Sequence, residues 1–308
     1  MLWLTFVDGV PFRKLGDEYN LSAVAVYKKV KFELESLPDN NQLTKEYCQP
    51  ELFSGVLIMD GKYIKARPYA KKIPFIYAID YATHDIPVYT LSPAEDIEAF
   101  KELFELLKTI DYPLKIVIAD DRSSLKIALN LVLPGIPLQL CHVHYLENIR
   151  QLLHIRTEGK YQEFFNELKS KVFDPWFKNI DEATAALKSV WLQYFQTDNL
   201  TQKVLYDIAV RREDLFAYVK VPNCPKSTNL IELYNSHANS RLNAIKGFKS
   251  FKSAKLFLNG LIIRRRTKPL TDCRAKFRHL NGKASLSLTA PEIPPILGVR
   301  LIKKAPKS

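Results

Sequence analysis

The chain has 308 residues, 47% of them hydrophobic, which is enough for two or three modules and a sizeable core and excludes a disordered polymer. No run of 18 apolar residues occurs, so no membrane span is expected; MLWLTFVDG lacks a basic leader and is not read as a signal peptide. The net charge of +12 is uneven: from Arg241 onward 17 Lys+Arg face only Asp272 and Glu292, whereas the preceding 240 residues carry 28 Lys+Arg against 31 Asp+Glu. A near-neutral body with a basic C-terminal fifth suits a polyanion partner, nucleic acid in preference to a merely solvated basic tail.

In chain order, Phe12, Leu15 and Tyr19 share one helix face. Asn20-Leu21-Ser22 reads as a tight turn with Ser22 as N-cap, and Val26, Val30 and Leu34 mark a second face. This predicts a helix-turn-helix over 1–37, with Lys28, Lys29 and Lys31 available to DNA. PDNNQLTKEYCQP reads as part of a linker over 38–53. GVLIMDGKYIKA reads as a strand ending in Asp60, a turn at Gly61-Lys62, and a continuation. IPFIYAIDYATHDIPVYTL gives two strands joined around Thr83-His84-Asp85. Ser92-Pro93 is expected to open a helix carrying Ile97, Phe100, Leu103, Phe104 and Leu107 on one face. LKIVIAD is a short buried strand ending in Asp120, followed by a helix through Ile127 to Leu131 and the strand IPLQLC.

The fold class is therefore α/β: a ribonuclease H-like mixed sheet of three antiparallel strands and then two βα units, interrupted by a helical insertion and preceded by the helix-turn-helix. The core's first part is assigned to 54–144, the insertion to 145–225, with Trp176 and Trp191 in its core, and the core's second part to 226–266. A basic tail over 267–308 is expected to fray beyond Pro291. Asn229 and Glu232 have capping-box spacing at the start of a helix that stops near Gly247.

Asp60 and Asp120 close apolar strands, and Glu232 sits early on a later helix. Three carboxylates converging on one strand-end edge form a hard-oxygen cage for Mg²⁺ or Mn²⁺. Two such ions about 3.5–4 Å apart can activate a water or a 3′-hydroxyl and stabilise a leaving oxygen. A lone strand-end Asp is more often a turn former, and a lone Glu232 a capping residue; the triple placement carries the argument.

These segments resemble DDE transposases of the Mutator-like and related bacterial insertion-sequence group. VLIMDGKYIK matches the first Asp motif at Asp60-Gly61. IVIADDRSSLKIAL matches the second, and counting Leu125 at plus five and Ala128 at plus eight selects Asp120 over Asp121. LQLCHVH supplies Cys141 and His144 around a variable His142, and STNLIELYNSHANSRLNAIKGFKS supplies Thr228, Asn229, Glu232 and Gly247-Phe248. The resemblance covers roughly residues 55–260. It implies metal-dependent cleavage of element ends and strand transfer, with Asp60, Asp120 and Glu232 as metal ligands in two-ion chemistry. It counts Cys141 and His144 with the active-site region. No zinc is expected, because no second Cys/His pair stands near Cys141 and His144.

Arg241, Lys246, Lys249, Lys252 and Lys255, then Arg264, Arg265 and Arg266, are the candidate phosphate contacts of the basic region. A homo-oligomer and a cytoplasmic, nucleoid-associated location are further expectations. The four cysteines, Cys48, Cys141, Cys224 and Cys273, form no CxxC pair and suit a reducing compartment. Relatives often carry more N-terminal DNA-binding sequence, so a truncated copy is one expectation. The competing readings are a domesticated or decayed DNA-binding regulator and a ribonuclease H-like nuclease without strand transfer.

Overall fold

The computed structural model describes residues 1–293. Five strands form one mixed sheet: β1 (Val56–Ile64), β2 (Ile73–Asp80), β3 (Tyr89–Leu91), β4 (Ile116–Ala119) and β5 (Leu138–Leu140). Their order is β3-β2-β1-β4-β5. The first three strands are antiparallel, and β4 and β5 add in parallel on the other side of β1. β2 and β4 are buried along their whole length, which is why both read as unbroken apolar runs.

β1 does not turn at Gly61-Lys62 as the sequence predicts. It runs through Asp60 to Ile64 and pairs with β2 throughout, with Asp60 opposite Tyr77 and Gly61 opposite Ile76. A glycine beside a lysine reads as a turn locally; eight residues of β2 register override it.

The N-terminal region holds α1 (Leu2–Val7), α2 (Phe12–Tyr19) and α3 (Ala23–Glu35). α2 ends on Asn20 in the left-handed region, and the Ser22 hydroxyl caps α3 by accepting from the Ala25 N–H. Leu15, Val26, Val30 and Leu34 are buried as their spacing requires. α1 was not anticipated: the apolar opening folds as a helix whose Trp3 is fully buried. The expected linker is also structured. Asp39 caps α4 (Asn40–Tyr47), and Asn40, Leu43 and Thr44 are buried.

α5 (Ile97–Thr109) starts at an Asp96 cap, not at Ser92-Pro93, and buries Phe100, Leu103, Phe104 and Leu107. Burying each such side chain is worth about 1.5–3 kcal/mol. α6 (Ser123–Val132) follows β4, and α7 (His142–Leu152) follows β5. The segment to 220 is wholly helical, with α8 (Gln162–Leu168), α9 (Ile180–Tyr194) and α10 (Asn199–Leu215) as its main elements. Trp176 is not core: it is 65% exposed and stands edge-on to Tyr218. Trp191 is half-buried, stacked on Phe195.

α11 (Asn229–Ile245) packs on β1, and α12 (Phe251–Thr267) packs on α1 and α3. Between them Gly247 adopts φ +134, and a Cβ there would lie 3.2 Å from the Lys65 side chain. The tight turn lets Phe248 bond to Lys65 and Arg67 beyond β1. The expected tail is folded to residue 293, with α13 (Ser285–Thr289) and buried Leu270, Leu280, Leu286 and Ile293. Its last fifteen residues lie outside the described residues.

Candidate active site

The parallel register of β1 and β4 pairs Ile58 with Ile118. Asp60 lies two residues further along β1, and Asp120 follows the last residue of β4, so the register leads the two carboxylates out side by side. Burial raises the Asp60 carboxyl above the usual range, and the charge of Asp120 adds to the shift. Asp60 Oδ1 accepts from the Gly61 N–H at 2.7 Å, and Oδ2 accepts from the Asn235 amide. Asn235 is buried and in turn accepts from the Tyr77 hydroxyl at 2.6 Å.

Cys141 is the N-cap residue of α7, and His144 lies in its first turn. The Cys141 N–H donates to Ala119 O at 2.9 Å, so the end of β5 is tied to the end of β4 next to Asp120. His144 Nδ1 lies 2.6 Å from Asp120 Oδ1, and its Nε2 lies 3.6 Å from Glu232 Oε1. The approach to Asp120 is short but off the line that a ring N–H prefers, so the buried Oδ1 has no well-directed hydrogen bond. Contact with Asp120, then with Cys141, holds the His144 imidazole protonated, its pKa pushed up to about 11. Burial pushes the Cys141 thiol up, but hydrogen bonds involving His144 and Thr228 outweigh it and the net shift is downward. The Thr228 N–H and hydroxyl lie 3.3 and 3.2 Å from Cys141 Sγ.

Thr228, not Asn229, is the N-cap residue of α11, and the expected capping box does not form. The Thr228 hydroxyl instead faces both Cys141 and, at 3.3 Å, Glu232 Oε1. Glu232 thus reaches the strand-end edge through His144 and Thr228. The three carboxylates do not themselves close into one cage. Among the described residues, the group of potential ligand atoms lying within 4.8 Å of one another is Asp120, Cys141 and His144.

Neighbouring candidates separate clearly. Asp121 pairs with Arg211 of α10 at 2.6 Å. His142 is buried against Phe173, with Nε2 2.6 Å from Leu215 O. Asn235 and Tyr77 were missed; Asn235 lies three residues beyond Glu232 and so shares its helix face, a signal open to sequence reading.

Of the candidate DNA contacts, Lys28, Lys29, Lys246, Lys249 and Lys255 are exposed. Lys31 and Lys252 are also exposed, 3.8 and 4.0 Å from Glu35. The Arg241 guanidinium packs against Gly9. Arg264 pairs with Asp8 at 2.6 Å, and Arg265 lies over the Tyr234 ring at 4.1 Å. Arg266 is a correction: it is fully buried, paired with the equally buried Asp85 at 2.7 Å, and has no surface to offer a phosphate. A run of three arginines reads as one basic patch, but helical geometry points them in different directions.

An α/β protein with paired acidic side chains at its parallel strand ends is the class that this geometry defines. The family described as "Transposase, Mutator family" matches residues 49–265. The chain belongs to the Mutator family of transposases. A search of curated proteins returns no match.

Proposed function

We propose that the protein is a DDE transposase that cuts DNA at the ends of a mobile element and joins the freed ends to target DNA. The observation that carries this reading is the β1–β4 register, which ends two residues short of Asp60 and Asp120 and leaves them near enough for the Asp120 charge to act on the Asp60 carboxyl, within a chain of this family. The five-stranded order supports a ribonuclease H-like core.

The donor set fits divalent cations. Asp60, Asp120 and Glu232 offer hard oxygens, and Asp120 Oδ1 is buried without a well-directed partner. Asp60 and Asp120 would hold the metal pair and Glu232 would complete it. Two bound Mg²⁺ or Mn²⁺ ions would supply Lewis acidity to the attacking and leaving oxygens. The chain's own residues orient the site. Asn235 holds Asp60 and is itself held by Tyr77, while His144 spans Asp120 and Glu232, with Cys141 and Thr228 fixing the start of each catalytic helix. A water attacks first and frees a 3′-hydroxyl, which then attacks target DNA. The α2–α3 pair would dock as a helix-turn-helix, presenting Lys28 and Lys31, with the exposed lysines from Lys246 to Lys255 on phosphates.

The test is an assay on duplex DNA carrying the element's own end, with Mg²⁺ or Mn²⁺. Asp120→Ala is expected to abolish metal-dependent nicking, a loss of at least about 10³-fold. Nicking that survives in this variant moves the assignment to another carboxylate. DNA binding without wild-type nicking favours a DNA-binding regulator.

A further inference from the structure

We propose that Asp120, Cys141 and His144 form a site for Zn²⁺, and that Zn²⁺ bound there withdraws Asp120 from the catalytic metals. Only the second half rests on the transposase reading.

One carboxylate oxygen, one thiol sulfur and one imidazole nitrogen lie within 4.8 Å of one another. Zn²⁺ takes these three donor types at about 2.0–2.3 Å in a tetrahedron. Ligand atoms of such a tetrahedron sit about 3.3–3.8 Å apart, so the Asp120–His144 pair, now 2.6 Å apart, opens by roughly 0.7 Å as the ion enters between them, and wider pairs close. Mg²⁺ selects oxygen donors in an octahedron and has no use for the sulfur or the ring nitrogen. The fourth corner is open. A cavity of about 190 Å³, lined by Asp120, Cys141, His144 and Asn148 among others, adjoins the group and is large enough to admit a water as fourth ligand.

The surroundings are those of a supported ligand set. With the Nδ1 proton released on binding and Nδ1 on the metal, His144 turns Nε2 to Glu232 Oε1 at 3.6 Å, a carboxylate behind a ligating histidine. Cys141 Sγ faces two donors, the Thr228 N–H and hydroxyl, which suit a thiolate. The backbone is anchored as well, since the Cys141 N–H bonds to Ala119, the residue before Asp120. The sequence argues against zinc because it counts Cys/His pairs; the third ligand is a carboxylate delivered by strand pairing 21 residues earlier in the chain.

A buried cysteine that merely caps a helix is the competing account. The full chain, reduced and stripped of metal, separates the two when titrated with Co²⁺. One equivalent is expected to give a thiolate-to-cobalt absorption band that Zn²⁺ then displaces. The band should vanish in Cys141→Ser with an unchanged circular dichroism spectrum. It should survive Cys273→Ser, which removes the other cysteine in contact with a histidine. No band in the wild type, or a band that persists in Cys141→Ser, overturns the site. Should Cys141→Ser lose its fold, the isosteric Asp120→Asn gives the same reading: Co²⁺ affinity falls at least tenfold, and unchanged affinity overturns the proposal. In the nicking assay, one equivalent of Zn²⁺ is expected to cut Mg²⁺-dependent activity at least tenfold, with recovery on chelation and not on adding Mg²⁺. Undiminished nicking by the zinc-loaded protein overturns the second half. A cobalt band without any Mg²⁺-dependent nicking leaves the site standing and rejects the transposase reading.

Discussion

At the scale of single residues, His84 is a side chain that couples the fold to pH. It sits in the loop between β2 and β3 at φ +57, 4% exposed, with its ring against Phe277. Burial, then the nearby Arg265 and His279 charges, lowers its pKa to about 4 from an ordinary 6.5. Because the folded-state value is depressed, its contribution is fully present above pH 6.5 and is lost as pH falls toward 4. His84→Asn keeps a residue type that tolerates positive φ and removes the titrating group. The stability difference between wild type and this variant, from urea midpoints, is expected to shrink by up to about 3 kcal/mol across that window. A difference that stays constant would mean the ring is solvated. Arg266 shows the opposite case. Burial opposes its charge, but Asp85 accepts from the guanidinium through both oxygens and is itself held by the Ser285 and Thr289 hydroxyls, which donate to it, so the pair ties α12 and α13 to the β2–β3 loop. No single-sequence signal distinguishes this arginine from its two neighbours, since the partner lies 181 residues away.

Among the elements, legibility followed the range of the interaction that decides each one. α3 was readable because its cap and its buried face are local: Ser22, Val26, Val30 and Leu34 fall where spacing puts them. The apolar runs of β2 and β4 were readable for the same reason. β1 was misread at Gly61 because its continuation is fixed by β2, and α4 was misread as linker because Asn40 and Thr44 are buried by partners elsewhere, including Arg266 and Pro87. In the candidate site, Asp60, Asp120 and Glu232 could be picked out by position, but the insertion of His144 between two of them depends on the β4–β5 and α7–α11 junctions. The α2–α3 turn offers a test at this scale. A Cβ on Gly16 would lie 2.4 Å from the Leu21 backbone oxygen, an atom that cannot step aside. Gly16→Ala is therefore expected to lose about 1–3 kcal/mol in chemical denaturation, in place of the gain that alanine brings to an open helix position. A gain would mean that the turn opens without cost.

For the whole molecule, the N-terminal helices are not an appendage. Trp3 is fully buried, and its backbone N–H donates to Glu33 of α3 at 2.8 Å. Asp8 grips Arg264 of α12, and Gly260 of α12 faces Leu34 so closely that a Cβ would lie 2.5 Å away. Trp3→Ala is expected to destabilise the protein by about 3–5 kcal/mol. The loss should appear in one cooperative transition shared with near-ultraviolet signals from the rest of the chain, and two separate transitions would show that the helices unfold on their own. The charge asymmetry read from sequence also changes meaning here: the basic fifth supplies Arg264 and Arg266 to internal pairs and leaves mainly its lysines for a polyanion.

The seating of α1 and α3 on α12 reaches further than stability. α12 begins just after the Gly247 turn that is bonded to the end of β1, the strand that bears Asp60. The outward face of α3 and the strand-end carboxylates are therefore parts of one rigid frame, joined without a flexible tether. In the proposed reading this makes the molecule a ruler: the separation between the DNA docked on α3 and the phosphodiester presented to Asp60 and Asp120 would be set by the fold.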